Sequence, residues 1–240
     1  MITRAADDSG LGGAKVLGGA HVLGGARVLG SARVLGGAQA LLVDLDGTLV
    51  DSSGPVSRAW TAFARRHDLD PDEVHAFAHG RPSSETVRLL APSAEHAGEA
   101  ALVEKAETTD TDGVFALPGA GDLLRSGYPL AIVTSCSSQL ADVRLRAAGL
   151  RRPEVVISSS MVMRGKPDPE GFLLGARRLD VTAARCAVLE DSPIGIDAGR
   201  AAGARVIALR TTHGDDALGR ADAIIDNLGA LFATGGKRDC

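Results

Sequence analysis

Between residues 129 and 226, short aliphatic segments alternate with stretches of helical periodicity, and this alternation constrains the fold more than any other feature. The aliphatic segments are PLAIVT (129–134), EVVIS (154–158), CAVLE (186–190), RVIAL (205–209) and DAIID (222–226). Each has the length of a buried strand, whereas the apolar residues between them recur at intervals of three and four, as in a helix. Strands that alternate with helices predict a parallel sheet covered by helices on both faces.

A sixth aliphatic segment, AQALLVD (38–44), lies far upstream of the others. The sequence that separates it from them is mainly helical in its periodicity. We therefore predict an α/β fold in which residues 38–53 and 112–240 form a doubly wound, Rossmann-like parallel-sheet core. Residues 54–111 are predicted to form an α-helical cap that is inserted into this core.

The N-terminal region carries a six-residue repeat. Its units, between residues 12 and 41, are GGAKVL, GGAHVL, GGARVL, GSARVL and GGAQAL. Paired glycines disfavour both helix and strand, and a period of six drifts around a helix instead of forming one face. Residues 1–37 are therefore predicted to be a flexible, low-complexity extension. A segment that binds a partner is the alternative interpretation.

The composition argues against several classes of function. The net charge is −4 and no region is strongly basic, which argues against a nucleic-acid partner. Three scattered cysteines form neither a disulfide framework nor a metal-binding pattern, as is typical of a reducing compartment. No apolar run has the ~18–20 residues that span a bilayer, and MITRAADDSG lacks the pattern of a signal peptide. We expect a cytoplasmic protein without a membrane partner, either a monomer or a dimer.

Polar residues stand at the carboxyl ends of three predicted strands. They are Asp44 with Asp46, Thr134 with Ser135, and Glu190 with Asp191. Ligands of open parallel sheets bind beyond these strand ends. Carboxylates from two strands suit Mg²⁺, because this ion prefers oxygen ligands. A hydroxyl group and Lys166 beside such an ion suit a phosphoryl group, whose oxygens need donors and positive charge.

Four segments resemble, in order and spacing, the four catalytic motifs of the haloacid dehalogenase (HAD) superfamily. They are DLDGTLVDS (44–52), IVTS (132–135), GKPDPEGF (165–172) and VLEDSPIGIDAGRAAG (188–203). The resemblance covers residues 40 to about 210. It implies an enzyme that hydrolyses phosphate monoesters with the help of Mg²⁺.

The resemblance also implies a role for each matching catalytic residue. Asp44 would be the nucleophile that forms an aspartyl-phosphate, and Asp46 would be the general acid and base. Thr134 and the backbone N–H of Ser135 would hold phosphate oxygens. Lys166 would neutralise negative charge on the nucleophile and the phosphate.

The implied metal ligands come from the same motifs. Asp44, the backbone carbonyl of Asp46 and Asp191 would bind Mg²⁺, and Glu190 would bind it either directly or through water. Gly47 would allow the sharp turn that leads from the strand end to the cap.

The cap loop AHGRPSSETVRLLAP (78–92) resembles the sugar-phosphatase and β-phosphoglucomutase-like branch of the superfamily. In that branch the matching loop contributes an arginine to the substrate, so Arg81 is the candidate for specificity. His79 and Glu85 are further candidates for substrate binding. The implied substrate is a small phosphorylated metabolite, either a sugar phosphate or a sugar-alcohol phosphate.

Other members of the superfamily fit less well. Dehalogenases lack an acid at the position of Asp46, and phosphonatases use a cap lysine, for which Lys105 is the only candidate. Phosphosugar mutases share Trp60 but carry histidine at the position of Val56 and tend to carry an aliphatic residue at that of Thr48. A mutase or a phosphoglycolate phosphatase remains the alternative enzyme. A binding or scaffold protein that uses the repeat is the alternative outside enzymes.

Cys136 lies two residues after Thr134 and is expected to be a partly exposed thiol beside cationic groups. A partly exposed thiol beside cationic groups tends toward the thiolate. We therefore expect Cys136 to be prone to oxidation that impairs the enzyme.

Overall fold

A parallel sheet of six strands forms the core, in the order β5-β4-β1-β6-β7-β8. The strands are β1 (Ala40–Val43), β4 (Leu130–Val133), β5 (Val155–Ile157), β6 (Cys186–Glu190), β7 (Arg205–Leu209) and β8 (Ala223–Ile225). The computed structural model describes residues 34–232, so most of the predicted N-terminal extension lies outside the described residues. All five pairings in the sheet are parallel. This confirms the predicted fold class.

The first strand lies in the middle of the sheet, although it comes from the start of the core. It pairs with β4 on one side and with β6 on the other, and Leu41 lies opposite both Leu130 and Ala187. Its side chains alternate between the two faces, so Leu41 and Leu42 pack into different apolar clusters. The carboxyl end of β1 is therefore surrounded by the ends of its two neighbours, where polar residues follow each strand.

Helices cover both faces of the sheet. They are α5 (Ala120–Arg125) and α6 (Ser138–Ala147) on one face, and α7 (Glu170–Arg178), α8 (Pro193–Ala201) and α9 (Asp215–Leu218) on the other. Short 3₁₀ turns occupy Ser159–Met161, Ala183–Arg185 and Leu228–Leu231. None of the helices in residues 34–232 combines the length and the apolar run that crossing a bilayer requires.

Four helices lie between β1 and the rest of the sheet and form the cap. They are α1 (Ser53–Arg66), α2 (Pro71–Ala78), α3 (Ser83–Leu90) and α4 (His96–Thr109). The Asp70 carboxylate accepts hydrogen bonds from the first backbone N–H groups of α2, and Pro71 begins that helix without a donor to lose. The cap has its own apolar cluster, in which Trp60 packs edge-on against the fully buried Phe63.

The chain crosses between core and cap through a small antiparallel pair of strands. Residues of β2 (Val50–Asp51) lie opposite those of β3 (Phe115–Ala116), so the outgoing and returning segments are hydrogen-bonded to each other. The sequence analysis did not predict these strands, because two residues are too short to show a period. The pairing fixes the position where the cap begins, directly beside the end of β1.

Two phenylalanines allow the packing of the core to be tested. Phe172 on α7 is 1% exposed and packs against the sheet, whereas Phe115 on β3 is 53% exposed. We expect Phe172→Ala to lower the free energy of unfolding by about 3–5 kcal/mol, because it leaves a cavity. The control Phe115→Ala should change it by about 0.5 kcal/mol or less. Urea denaturation measures both, and equal losses would contradict this packing.

Candidate active site

Three buried carboxylates and one lysine meet at the carboxyl ends of β1 and β6. Asp44 follows β1, Glu190 ends β6 and Asp191 follows it, and each of the three is at most 6% exposed. One oxygen from each carboxylate lies within 4.8 Å of the others. Lys166 reaches this group from the loop before α7; its Nζ donates to Asp44 Oδ1 and, at 2.5 Å, to Glu190 Oε1. The ammonium group of Lys166 thus lies between the carboxylates of Asp44 and Glu190.

The pKa values of this group follow from burial and from these contacts. Burial raises the pKa of the Asp44 carboxyl well above its usual range, although Lys166 opposes that shift. Burial lowers the pKa of Lys166, but the nearby carboxylates of Asp44 and Glu190 raise it by more, so it stays above its usual value. The lysine is therefore positively charged at neutral pH.

Both oxygens of Glu190 already have protein donors. Its Oε2 accepts the backbone N–H groups of Asp191 and Ser192 at 2.8 Å each, and the Ser192 hydroxyl at 2.9 Å. Its Oε1 accepts Lys166. A Cβ atom at Gly195 would lie only 1.7 Å from Oε1, so the start of α8 packs directly on this carboxylate. Glu190 is thus held rigidly while it holds Lys166.

Asp191 accepts hydrogen bonds from three different segments. Thr212 donates to Oδ2, His79 Nε2 lies 3.1 Å from the same atom, and Thr48 donates to Oδ1 at 3.3 Å. Burial raises the pKa of the Asp191 carboxyl. The contacts with His79 and Thr212 lower it by a larger amount, so this pKa lies below its usual value. Gly47 has φ +81°, and a Cβ atom there would lie 2.1 Å from Asp191 Oδ2. Only glycine fits this turn.

Asp46 lies beside this cluster and is held from three sides. Ser52 donates to its Oδ1 at 2.5 Å, the Cys136 thiol donates to its Oδ2 at 2.8 Å, and Arg144 Nε lies 3.2 Å from Oδ1. Burial, followed by the charges of Asp46 and Glu107, raises the pKa of Cys136 well above its usual value. The expected tendency of Cys136 toward the thiolate is therefore wrong: its neighbours are mainly acidic.

Residues of the cap loop contact the core at the site. The Ser135 hydroxyl of the core donates to the carbonyl of Gly80 in the cap loop at 2.7 Å. Within the core, the Thr134 hydroxyl accepts the backbone N–H of Cys136 at 3.1 Å. His79 contacts Asp191, as described. Arg81 lies in the loop after α2 and is held by the end of that helix, because Nη1 donates to the Phe77 carbonyl at 2.6 Å and the guanidinium lies 4.3 Å from the centre of the Phe77 ring.

A cavity of about 380 Å³ lies between the cap and the carboxyl end of the sheet. Most of the predicted site residues line it, namely Asp44, Asp46, Gly47, His79, Arg81, Thr134, Ser135 and Asp191. Lys166 and Glu190 lie behind Asp44 in the cluster described above. Glu85 lines a neighbouring cleft, with Arg88 and Arg164, rather than this cavity. Lys105, the candidate phosphonatase lysine, is exposed on α4 and does not line the cavity.

Two charged residues lie at the site that the sequence patterns above did not single out. Arg144 on α6 and Glu107 on α4 form a buried ion pair next to Asp46. A signal was present, because Glu107 follows the buried Val103 by four residues and Arg144 follows the buried Leu140 by four. A charged residue on the apolar face of a predicted helix is thus the pattern that would have identified them.

The donor set fits a hard divalent cation. Carboxylate oxygens are the ligands that Mg²⁺ prefers, and three buried carboxylates face only one lysine here. Like charges so close together in a buried site repel each other unless a cation lies nearby. The residues present therefore match a metal site at the ends of β1 and β6.

Comparisons with known proteins identify the family. A family model described as haloacid dehalogenase-like hydrolase matches residues 38–203. Hexitol phosphatase A of Escherichia coli (strain K12) is 42% identical over 203 residues, which cover 82% of this chain and 94% of that protein. Validoxylamine A 7'-phosphate phosphatase of Streptomyces hygroscopicus subsp. limoneus is 35% identical over 200 residues, which cover 78% and 92%. The chain belongs to the haloacid dehalogenase-like hydrolase family, whose members typically depend on Mg²⁺.

Solved structures agree on the fold. The crystal structure of β-phosphoglucomutase from Clostridium difficile matches with a TM-score of 0.71, covering 81% of this chain and 93% of that one. The sequence identity is 21%, so this likeness shows the architecture alone. Membership of the family, expected from the four motifs, is confirmed by the family model and by the two similar phosphatases.

The close packing of α8 on Glu190 provides a test of the site. We expect Gly195→Ala to displace the Glu190 carboxylate and to lower kcat for p-nitrophenyl phosphate by about 10²–10³, as the loss of one charge-stabilising contact does in other enzymes. The matched control is Gly199→Ala on the same helix, whose Cβ would lie 2.9 Å from Val206 and far from the carboxylates. Gly199→Ala should reduce stability but leave kcat within a few-fold. Equal losses of kcat would contradict the role of Glu190.

Proposed function

We propose that the protein is a HAD-type phosphatase that hydrolyses monophosphate esters of small sugars or sugar alcohols through an aspartyl-phosphate on Asp44. The observation that carries the proposal is the buried Asp44–Lys166 pair at the end of β1, with a second carboxylate, Asp46, two residues later on the same cavity. The names of the two similar phosphatases support the substrate class.

In the first step an oxygen of Asp44 attacks phosphorus, and the bond between phosphorus and the ester oxygen breaks. Asp46 gives its proton to the departing oxygen, which leaves as an alcohol. The positive charge of Lys166 opposes the repulsion between the carboxylate and the phosphate. Thr134 and the backbone N–H of Ser135 provide donors to phosphate oxygens at the end of β4.

In the second step a water molecule attacks the phosphorus of the aspartyl-phosphate. Asp46, now a carboxylate, takes a proton from the water, and the bond between phosphorus and Asp44 breaks. Inorganic phosphate leaves, and the protonated Asp46 is ready for the next substrate. The two steps use one proton carrier in both directions, so this residue must stay close to the phosphate throughout.

Asp44, Asp191 and the backbone carbonyl of Asp46 would hold Mg²⁺. When bound, the ion would supply positive charge against the phosphate oxygens. Because both oxygens of Glu190 already accept hydrogen bonds, we propose that Glu190 orients Lys166 instead of binding the ion directly.

The rest of the cavity favours a neutral substrate body. Beyond the phosphate end it is lined by three acidic residues and by one arginine, namely Asp51, Glu104, Glu107 and Arg81. Carboxylates accept hydrogen bonds from the hydroxyl groups of a polyol but repel a second anionic group. This favours a sugar-alcohol phosphate over phosphoglycolate. Val56 also lines the cavity, and its hydrocarbon side chain cannot carry a proton, which favours hydrolysis over a mutase reaction.

The cap is proposed to exclude water during the reaction. We propose that residues 54–111 close over the core, formed by residues 38–53 and 112–240, and keep bulk water from the phosphate. His79 and Arg81 would contact the substrate side of the cavity, with Glu85 at its neighbouring cleft. The contact of Ser135 with Gly80 marks the position where the loop meets the core.

A panel of phosphate esters tests the proposed reaction. With Mg²⁺ present, we expect inorganic phosphate to be released from hexitol, hexose and pentose phosphates. Asp44→Asn should lower kcat by about 10⁴-fold or more, as the loss of a catalytic nucleophile does, because an amide cannot attack phosphorus. EDTA should also abolish it. Isomerised sugar phosphate without release of phosphate would instead indicate a mutase.

Charge in the cavity predicts the discrimination against phosphoglycolate. Glu104→Lys should raise kcat/KM for phosphoglycolate relative to hexitol phosphate by about tenfold, because one repulsive charge becomes attractive. The control Glu73→Lys makes the same change at an exposed position on α2, outside the cavity. The control should leave the ratio unchanged. An unchanged ratio in Glu104→Lys as well would contradict a role for cavity charge in specificity.

A further inference from the structure

A buried arginine connects the proposed acid and base to the cap. Arg144 on α6 is fully buried, and its Nε lies 3.2 Å from Asp46 Oδ1. Its Nη2 donates to Glu107 Oε2 at 3.1 Å, and Glu107 lies on the cap helix α4 with 7% of its surface exposed. A single guanidinium thus contacts both a carboxylate of the core, which is proposed to move protons, and a carboxylate of the cap.

The position of Arg144 is costly for stability alone. Its neighbours on the buried face of α6 are Leu140, Ala141 and Leu145, so an apolar residue would pack there without the cost of burying a charge. Its Nη1 and Nε are buried and form no hydrogen bond within residues 34–232, so Nε meets Asp46 Oδ1 as an ion pair only. Buried ion pairs are often replaceable by apolar groups with no loss of stability. A role in the reaction is therefore a better explanation than a role in folding.

Two of the contacts of Asp46 reach the cap. Ser52 joins it to the start of α1, because the Ser52 carbonyl accepts the backbone N–H of Val56 at 3.2 Å. The Arg144 contact leads, through Glu107, to a different cap helix, α4, whereas Cys136 belongs to the loop after β4. When Glu107 is in place, the guanidinium is held from two sides, by the hydrogen bond from Nη2 to Glu107 and by the contact of Nε with Asp46.

We propose that Arg144 and Glu107 are positioning residues for Asp46: Glu107 fixes the guanidinium, and Arg144 fixes the Asp46 carboxylate where it can reach the departing oxygen and the attacking water. The inference rests on the proposed function. It makes proton transfer depend on the docked cap, because one of the two residues lies on the cap and the other on the core. An ion pair that only fastened the cap to the core would not affect proton transfer in particular.

The leaving group distinguishes these two roles. An alkoxide from a sugar alcohol is a poor leaving group and needs a proton from Asp46, whereas p-nitrophenolate leaves without one. A variant with a misplaced Asp46 should therefore form the aspartyl-phosphate from p-nitrophenyl phosphate rapidly but hydrolyse it slowly. The result is a burst of one p-nitrophenol per active site, followed by slow turnover. With hexitol phosphate the same variant should be slow from the first turnover.

The test uses the full-length protein with Mg²⁺, rapid mixing with p-nitrophenyl phosphate, and steady-state kinetics with hexitol phosphate. For Arg144→Met we expect kcat for hexitol phosphate to fall about 10²–10³-fold, within the range that general acid–base catalysis contributes, and the burst to be seen. Glu107→Gln should show the same pattern with a smaller loss, and Arg144→Lys should recover part of kcat. KM should change little in all three.

The matched control is Arg146→Met, which removes an exposed arginine from the same helix. It should behave as the wild type. If Arg144→Met does not fold, Arg144→Lys and Glu107→Gln still test the inference, because neither removes the bulk of a buried side chain. Thermal unfolding of every variant separates loss of fold from loss of catalysis.

Three results would overturn the inference. They are a kcat for Arg144→Met equal to that of Arg146→Met, a rise in KM with kcat unchanged, and equal slowing of the first turnover for both substrates. The proposed function fails separately, if the wild type releases no phosphate from any ester or if Asp44→Asn stays active. In that case the inference fails with it.

Discussion

The contact of Lys166 with Asp44 and Glu190 is the interaction on which the rest of the structure depends. Buried carboxylates repel each other and lose hydration, so they are tolerated only where a cation or hydrogen bonds offset the cost. The fold meets this condition with one lysine and a set of backbone donors at the start of α8. The position of β1 at the centre of the sheet brings Asp44 to these groups. The same arrangement leaves negative charge that suits a divalent cation and a phosphate ester.

The polar contacts between cap and core are concentrated around this cluster. His79 contacts Asp191, Gly80 accepts a hydrogen bond from Ser135, and Glu107 pairs with Arg144. The apolar residues of the cap, in contrast, pack mainly against one another. The cap is therefore joined to the core by directional contacts around the cavity. Binding of a substrate and docking of the cap can influence each other through these few residues.

Much of the fold could be predicted from the sequence, because its signals are local. The six strands of the sheet and the four cap helices follow from runs of aliphatic residues and from helical periods. The strands β2 and β3 could not be predicted, because each has two residues and exists only through pairing across the cap. The same holds for Glu85, which the sequence places close to Arg81 but which lies in a different cleft.

In the candidate site, too, some residues could be located from the sequence, whereas the contacts of others could not. Asp44, Asp46, Thr134 and Asp191 could be located, because strand ends gather at one edge of a parallel sheet, and Lys166 could be located from its family motif. Cys136 was expected beside cations, but the carboxylates of Asp46 and Glu107 raise its pKa more than Arg144 lowers it, and only the three-dimensional structure shows this. The pairing of Arg144 with Glu107 joins residues that are far apart in the chain. The helical spacing could have marked each residue as a charge on an apolar face, but not that the two would pair.

The central claim is that the carboxylate cluster is a site for one divalent cation. Thermal unfolding of the full-length protein, in EDTA and in Mg²⁺, tests it most directly, with Asp191→Asn measured alongside. At a Mg²⁺ concentration of about 100 Kd, binding to the folded state alone should raise the Tm of the wild type by about 5–10 °C. Asp191→Asn should show no such rise. A wild-type Tm that does not respond to Mg²⁺, or an equal rise in both proteins, would contradict the account.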